Sequence, residues 1–219
     1  MKLLKQTSRL GKLALTPPYN RNKPMNGLVW FLHGDSGPGL QSWVHDLLHR
    51  DFSFYNLQVS YPTAPLIPYE LLNGQVACVW YNRLKLSPEI PEDVRSIESS
   101  ARSLETLIKE QTERKGIPLS KVVLGGFSQG GSMALHLAYR LHPEVAGCFA
   151  LSSFLPPDSQ IYDTLETTRE RMMAREKSSS ATSPKNDASL ESQSQMLPQN
   201  EIPSTVPDLV AGRINSCYN

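Results

Sequence analysis

The sequence predicts an α/β protein built on a doubly wound, mostly parallel sheet. Three observations carry that expectation. Four short runs are apolar throughout: 27–32 (GLVWFL), 57–62 (LQVSYP), 121–127 (KVVLGGF) and 145–153 (VAGCFALSS). Unbroken apolar runs of this length suit strands of a parallel sheet covered on both faces. Helical periodicities lie between them, and strand alternating with helix is the pattern of a doubly wound sheet. The third run passes through Gly126-Phe127-Ser128-Gln129-Gly130, a G-x-S-x-G, straight into a helix-forming stretch.

The elements follow in order. The opening MKLLKQTSRLGKLALTPPYN is basic, with no acidic residue before Asp35. It lacks the long apolar core and small-residue cleavage site of a secretory signal. It reads as an edge strand or arm leading into 27–32, with a mitochondrial presequence as the alternative. Beyond His33-Gly34, the stretch 40–50 places Leu40, Trp43, Val44, Leu47 and Leu48 on one helical stripe. The segments 61–83 and 84–94 are rich in proline and read as long loops at strand ends, where such folds often build a site. Residues 94–116 put Val94, Ile97, Ala101, Leu104 and Ile108 on one face, with Gly116 as the stop. A helix over 131–142 follows the third strand, and 160–177 carries Ile161, Leu165 and Met172 at looser helical spacing.

From 178 to 207 the chain is polar, rich in serine and proline, and has no aromatic residue. It cannot bury enough apolar area to offset its ordering entropy, so it is expected to be disordered. The expected division is a core over 1–177 and a tail over 178–219. The 219 residues suit one domain plus a tail, on a prior of roughly 150 residues per domain. The net charge of +1 gives no reason to expect nucleic acid, and no apolar run approaches the length of a membrane span. Cys78, Cys148 and Cys217 are scattered, with neither metal-ligand spacing nor a disulfide framework. That usage fits a reducing, cytoplasmic setting with no bound metal.

Ser128 is the candidate nucleophile. A G-x-S-x-G arises by chance in roughly 7% of chains this long, so the pattern alone decides little. Its strand–turn–helix context is that of a nucleophile elbow. In such an elbow the serine is strained, and side chains two residues to either side would collide with the turn. Gly126 and Gly130 remove them. The N–H of Gln129, at the positive end of the following helix, would then face the oxygen of a tetrahedral intermediate. A second donor is expected from the loop after the first strand: the amide of Asp35, or alternatively that of Ser36.

The segments FLHGDSGPG, YPTAP, VWYNR, GGFSQGG with MALHLAYR, and VAGCFALSSFLP occur here in one order over roughly residues 10–165. Together they resemble the acyl-protein thioesterase and lysophospholipase family of α/β-hydrolases, the lysophospholipase-like members most of all. The resemblance implies an α/β-hydrolase-type sheet and a cytosolic serine hydrolase. Its substrates would be S-acylated proteins, such as those bearing S-palmitoyl cysteine, or small acyl esters, and it would need no cofactor. Ser128 matches the family nucleophile and Gln129 the oxyanion amide. Trp80, with Leu66 and Leu72 at the ends of one loop, would flank the acyl chain. The family's first loop is two residues longer between His-Gly and Asp-Ser-Gly, which leaves the placing of the Asp35 amide open.

A serine hydroxyl needs a base within hydrogen-bond reach. In α/β-hydrolases the acid and then the histidine follow the serine. Here the last histidine is His142. By helical rise it would lie about 21 Å along the axis from Ser128, and His136 about 12 Å. The family continues with a strand, a His-Gly-x-x-Asp loop and a later histidine. This chain reads VPDLV and then AGRINSCYN, and Asp208 precedes the strand instead of following it. The expectation is a truncated chain without triad acid and base, incomplete at the C-terminal edge of its sheet. It would be impaired in turnover, acting at most as an acyl-chain or partner-binding module. His33 is the remaining internal alternative for the base. The sequence does not fix an oligomeric state.

Overall fold

The computed structural model describes residues 10–34 and 36–180, with side chains in the last helix as far as residue 176. Its centre is a five-stranded sheet in the order β1-β3-β2-β6-β7. The strands are β1 (Leu13–Thr16), β2 (Gly27–Leu32), β3 (Leu57–Pro62), β6 (Val122–Phe127) and β7 (Gly147–Leu151). β1 runs antiparallel to β3, and every other neighbouring pair is parallel. The N-terminal arm therefore supplies an edge strand. Among the described residues β7 is the opposite edge, with Leu151 47% exposed.

Both faces of this sheet are covered, which is why its central strands read as unbroken apolar runs. All six residues of β2 are buried. Leu28, Trp30 and Leu32 join Leu124, Met133 and Leu137 on one side. Val29 and Phe31 join Leu40, Val44, Val59 and Tyr61 on the other. α2 (Val94–Lys115) packs on the first side through Ile97, Ala101, Leu104 and Ile108, each at most 1% exposed. Each of the larger three contributes about 1.5–3 kcal/mol by leaving water. Asp93 caps α2 by accepting from the Ser96 N–H, and Gly116 ends it with φ 63°. α1 (Gly37–Leu48) lies on the second side, with Ser36 as its cap. Only Leu40 and Val44 of its expected stripe are buried; Trp43 leans on Phe127 at 5.0 Å, and Leu47 is 64% exposed.

Two details depart from the sequence reading, and the last helix follows it. The proline-rich stretch 61–83 is not simply a loop: it holds an antiparallel hairpin, β4 (Leu66–Tyr69) with β5 (Gln75–Cys78). Asn73 and Gly74 close its turn at φ 52° and 79°, the left-handed pair that Asn-Gly supplies. The helix after β6 is α3 (Gln129–His136), which widens into a π turn over Leu137–Leu141, where the His142 N–H donates to the Leu137 carbonyl. The last helix, α4 (Gln160–Ser180), buries Ile161 but leaves Leu165 and Met172 exposed. Apart from residues 178–180, which continue α4, the expected tail lies outside the described residues, as does Cys217. No described helix is long and apolar enough to cross a membrane.

The chain leaves β2 outward to β3, then crosses back to β6. Adjacent strands β2 and β6 thus send their connections in opposite directions. A crevice at the carboxyl ends of such a strand pair is where α/β sheets bind ligands. His33-Gly34 leaves β2 at that point, and Ser128 leaves β6.

Candidate active site

The turn after β6 is sharp because Ser128 takes φ 53° and ψ −122°. A side chain at such a φ costs of order 1–3 kcal/mol, so surrounding bonds must hold it. The Ser128 N–H donates to the Leu151 carbonyl at 2.8 Å. The Ser128 carbonyl accepts from the Ser153 hydroxyl at 2.7 Å and from the Gly131 N–H at 3.0 Å. The glycines have a measurable reason. A Cβ on Gly126 would stand 2.1 Å from the Gly130 carbonyl carbon, and one on Gly130 would stand 2.2 Å from the Leu32 carbonyl oxygen. α3 thus starts directly on the backbone of β6 and β2. A Cβ on Gly34 would come 3.2 Å from the Ser128 Cβ, which places the loop after β2 beside the serine.

Gln129 opens α3, so its N–H has no acceptor within the helix. Its side chain has a role that no sequence motif signals. The amide oxygen accepts from the Trp80 N–H at 2.8 Å, and the amide nitrogen donates to the Tyr81 carbonyl at 2.6 Å. Both bonds are buried. They fasten the chain beyond β5 to the start of α3. Replacing Gln129 by leucine keeps the volume and strands both backbone groups. At about 1–3 kcal/mol for each of the two unsatisfied groups, a loss of roughly 2–6 kcal/mol is expected in urea unfolding.

The other expected site residues divide. Trp80 is fully buried, its indole N–H donating to the His33 carbonyl at 2.8 Å. Leu66 pairs with Cys78 in the hairpin register, so its backbone lies near Trp80, and its side chain is 57% exposed. Leu72 ends the one-turn helix Glu70–Leu72 at the far tip. Three residues of strand, about 10 Å, separate that tip from Leu66. The Ser36 hydroxyl caps α1 by accepting from the Gly39 N–H, a bond that leaves the Ser36 backbone N–H, the alternative second donor, unused. Asp35 lies outside the described residues.

All five histidines of the chain are described, and none bonds to the Ser128 hydroxyl. His33 is 1% exposed, and its Nε2 accepts from the Ala64 N–H at 2.8 Å. That lone pair is occupied, and burial pushes the imidazole down to about 3. His33 therefore positions the Ala64 and Trp80 segments and is not a poised base. His45 pairs with Asp51 at 2.9 Å on the surface, and His49 is the exposed left-handed residue that ends α1. His142 faces Glu144 at 3.6 Å. His136 is fully buried against Glu92, Nε2 to Oε1 at 2.9 Å, with Arg140 on its other nitrogen at 3.2 Å.

Burial pushes the Glu92 carboxyl up, but the hydrogen bond and charge of His136 outweigh it, and the net shift is downward. A carboxylate lowered on folding stabilises the protein above its unfolded pKa, and that contribution is lost as pH falls through the folded value. Glu92→Gln is therefore expected to flatten the loss of stability below pH ~4.3, as read by urea midpoints across an acid series.

Residues 19–175 match the phospholipase/carboxylesterase family. The chain is 46% identical over 138 residues to mouse lysophospholipase-like protein 1, covering 62% of this chain and 57% of that protein. It is 37% identical over 150 residues to acyl-protein thioesterase 1 of Candida albicans, covering 64% of each. The crystal structure of Zea mays acyl-protein thioesterase 2 superposes with a TM-score of 0.56 at 25% identity, over 71% of this chain and 68% of that one. The chain spans less than two thirds of the length of these two curated relatives.

Proposed function

Because this chain belongs to the phospholipase/carboxylesterase family of α/β-hydrolases, we propose that Ser128 is its nucleophile toward acyl thioesters or esters, with S-palmitoyl thioesters and small acyl esters as substrate classes. The observation that carries this reading is the strained Ser128, φ 53°, at the end of β6. That conformation at the end of β6 would present the hydroxyl at the sheet's carboxyl edge. The Ser128 oxygen would attack the acyl carbon, its proton would pass to a base, and the thiolate or alcohol would leave. Water would then release the acid and free the serine. Developing negative charge on the carbonyl oxygen would face the Gln129 N–H at the start of α3. The Asp35 amide, close in sequence to Gly34, is proposed as the second donor. Leu66 would border the acyl chain, with Leu72 at the far end of the same hairpin, and the fully buried Trp80 would support that wall from beneath.

The engagement of all five histidines favours a second reading. On that reading none of these imidazoles serves as the base, and the chain would bind acyl groups and turn them over poorly. The division of the chain near residue 177 and its cytoplasmic placement belong to the same proposal. Covalent labelling by a fluorophosphonate, with Ser128→Ala as the blank, tests the nucleophile. Labelling that persists in the blank would remove Ser128 from that role.

A further inference from the structure

A small open cleft lies between the segment after β5 and the one after β7, lined by Tyr81, Arg83, Lys85, Ser87, Glu92 and Phe154 among others. Arg83 is its centre. Its guanidinium carbon lies 4.8 Å from the Tyr81 ring centroid and 4.7 Å from that of Phe154. One of its terminal nitrogens, Nη2, donates to the Tyr81 hydroxyl, and the same nitrogen lies 3.4 Å from the Ser132 hydroxyl. Every one of these partners is neutral. Among the described residues no carboxylate forms an ion pair with Arg83 or with Lys85.

An arginine ordinarily meets a carboxylate when its planar fork is held in one place. Here the plane is fixed by aromatic contacts, which hold a cation without neutralising it. Nη2 alone donates to protein, so Nε and Nη1 keep their hydrogens for a ligand. Lys85 adds an exposed ammonium to the same lining, and Ser87 a hydroxyl. Glu92 is the carboxylate of that lining, and it is turned inward: its side chain is 3% exposed and bonded to His136.

We propose that this cleft binds an oxyanion, a carboxylate or a phosphate, with Arg83 as the principal contact and Lys85 and Ser87 as flanking donors. Ser132, which Arg83 touches, lies one turn beyond Ser128 on α3, about 6 Å by helical rise. The consequence for substrates rests on the hydrolase reading above. Acyl donors bearing a negative charge near the reacting carbonyl would be preferred. The binding itself does not depend on that reading.

The test is therefore made on the Ser128→Ala chain, where hydrolysis plays no part. Inorganic phosphate and acetate are titrated separately while the Arg83 side-chain and Ser132 amide resonances are followed. A saturable shift is expected with at least one of them. Tighter phosphate assigns the site to tetrahedral oxyanions, and tighter acetate to carboxylates. Arg83→Gln is expected to weaken binding at least tenfold and Lys85→Gln about threefold, in keeping with a charge-assisted fork and an exposed point charge. Arg83→Lys keeps the charge but loses the fork, and is expected to fall between the parent and Arg83→Gln. No saturable shift with either ion overturns the proposal. So does parent-like binding by Arg83→Gln, or by both Arg83→Lys and Lys85→Gln should Arg83→Gln not fold.

Discussion

Hydrolysis of a 4-nitrophenyl acyl ester by this chain is expected to run on the order of 10⁵–10⁶ slower than by a serine hydrolase with its base in place. Subtilisin sets the scale: loss of its triad histidine costs about 2 × 10⁶ in turnover. What remains there, of order 10³–10⁴ over water, comes from the oxyanion hole and from binding. On the reading proposed above, the Gln129 N–H and the crevice between β2 and β6 would supply those elements here. Its five histidines are committed to Ala64, Asp51, Glu92, Glu144 and the end of α1. Substituting them supplies a second check. His45→Ala and His49→Ala should leave the residual rate within about twofold, because neither touches the elbow. A rate typical of a complete enzyme, falling when one of these imidazoles is removed, would show that the histidine swings into place on substrate binding. Fluorophosphonate labelling should follow the same pattern, slow and confined to Ser128.

How much of this could be read from the sequence depends on how local the physics is. The strands β2, β3 and β6 and the two amphipathic helices are legible because burial on two faces, or on one stripe, writes itself into consecutive residues, whereas β7 reads as an equally apolar run although, among the described residues, it is an edge with no buried residue. The elbow is legible at Gly126, fixed by a backbone contact within five residues against Gly130, whereas Gly130 is fixed by Leu32, far away in the sequence. The β4–β5 hairpin escapes such a reading although Asn73-Gly74 signals a turn of that kind, since Pro68 and the neighbouring prolines argue for loop. Helical spacing puts Trp43 and Leu47 on a core face that one helix of this length, lying on one side of a twisted sheet, fills with Leu40 and Val44 alone. The His33–Ala64, Gln129–Trp80 and Arg83–Ser132 contacts join residues 31 to 49 positions apart. No periodicity records such a pairing. The one trace that sequence offers is that Gln129 and Trp80 both stand among the site candidates, for other reasons.

Three glycines separate what the elbow demands from what any turn demands, and Gly126→Ala is expected to be the most destabilising. Its new methyl would stand 2.1 Å from the Gly130 carbonyl carbon and 2.2 Å from its oxygen. Both are backbone atoms, so no side chain can rotate away. Either α3 lifts from β6 or the strand breaks its pairing with β2 and β7, and each carries Ser128 out of position. Overpacking of this kind costs about 3 kcal/mol or more, a shift in Tm of roughly 6–12 °C for a chain this size. Gly74→Ala has a different penalty: φ is 79° but no atom lies within 4 Å of the added methyl. Only the left-handed backbone is disfavoured there, at about 1 kcal/mol. Gly147→Ala meets neither obstacle, since its φ is ordinary and its surroundings are open. It should be neutral within about 0.5 kcal/mol. The order Gly126, Gly74, Gly147 in urea midpoints is thus a direct reading of steric contact against backbone conformation. If Gly126→Ala unfolds with Gly147→Ala, α3 does not start on the backbone of β6, and the geometry that presents Ser128 is lost with it.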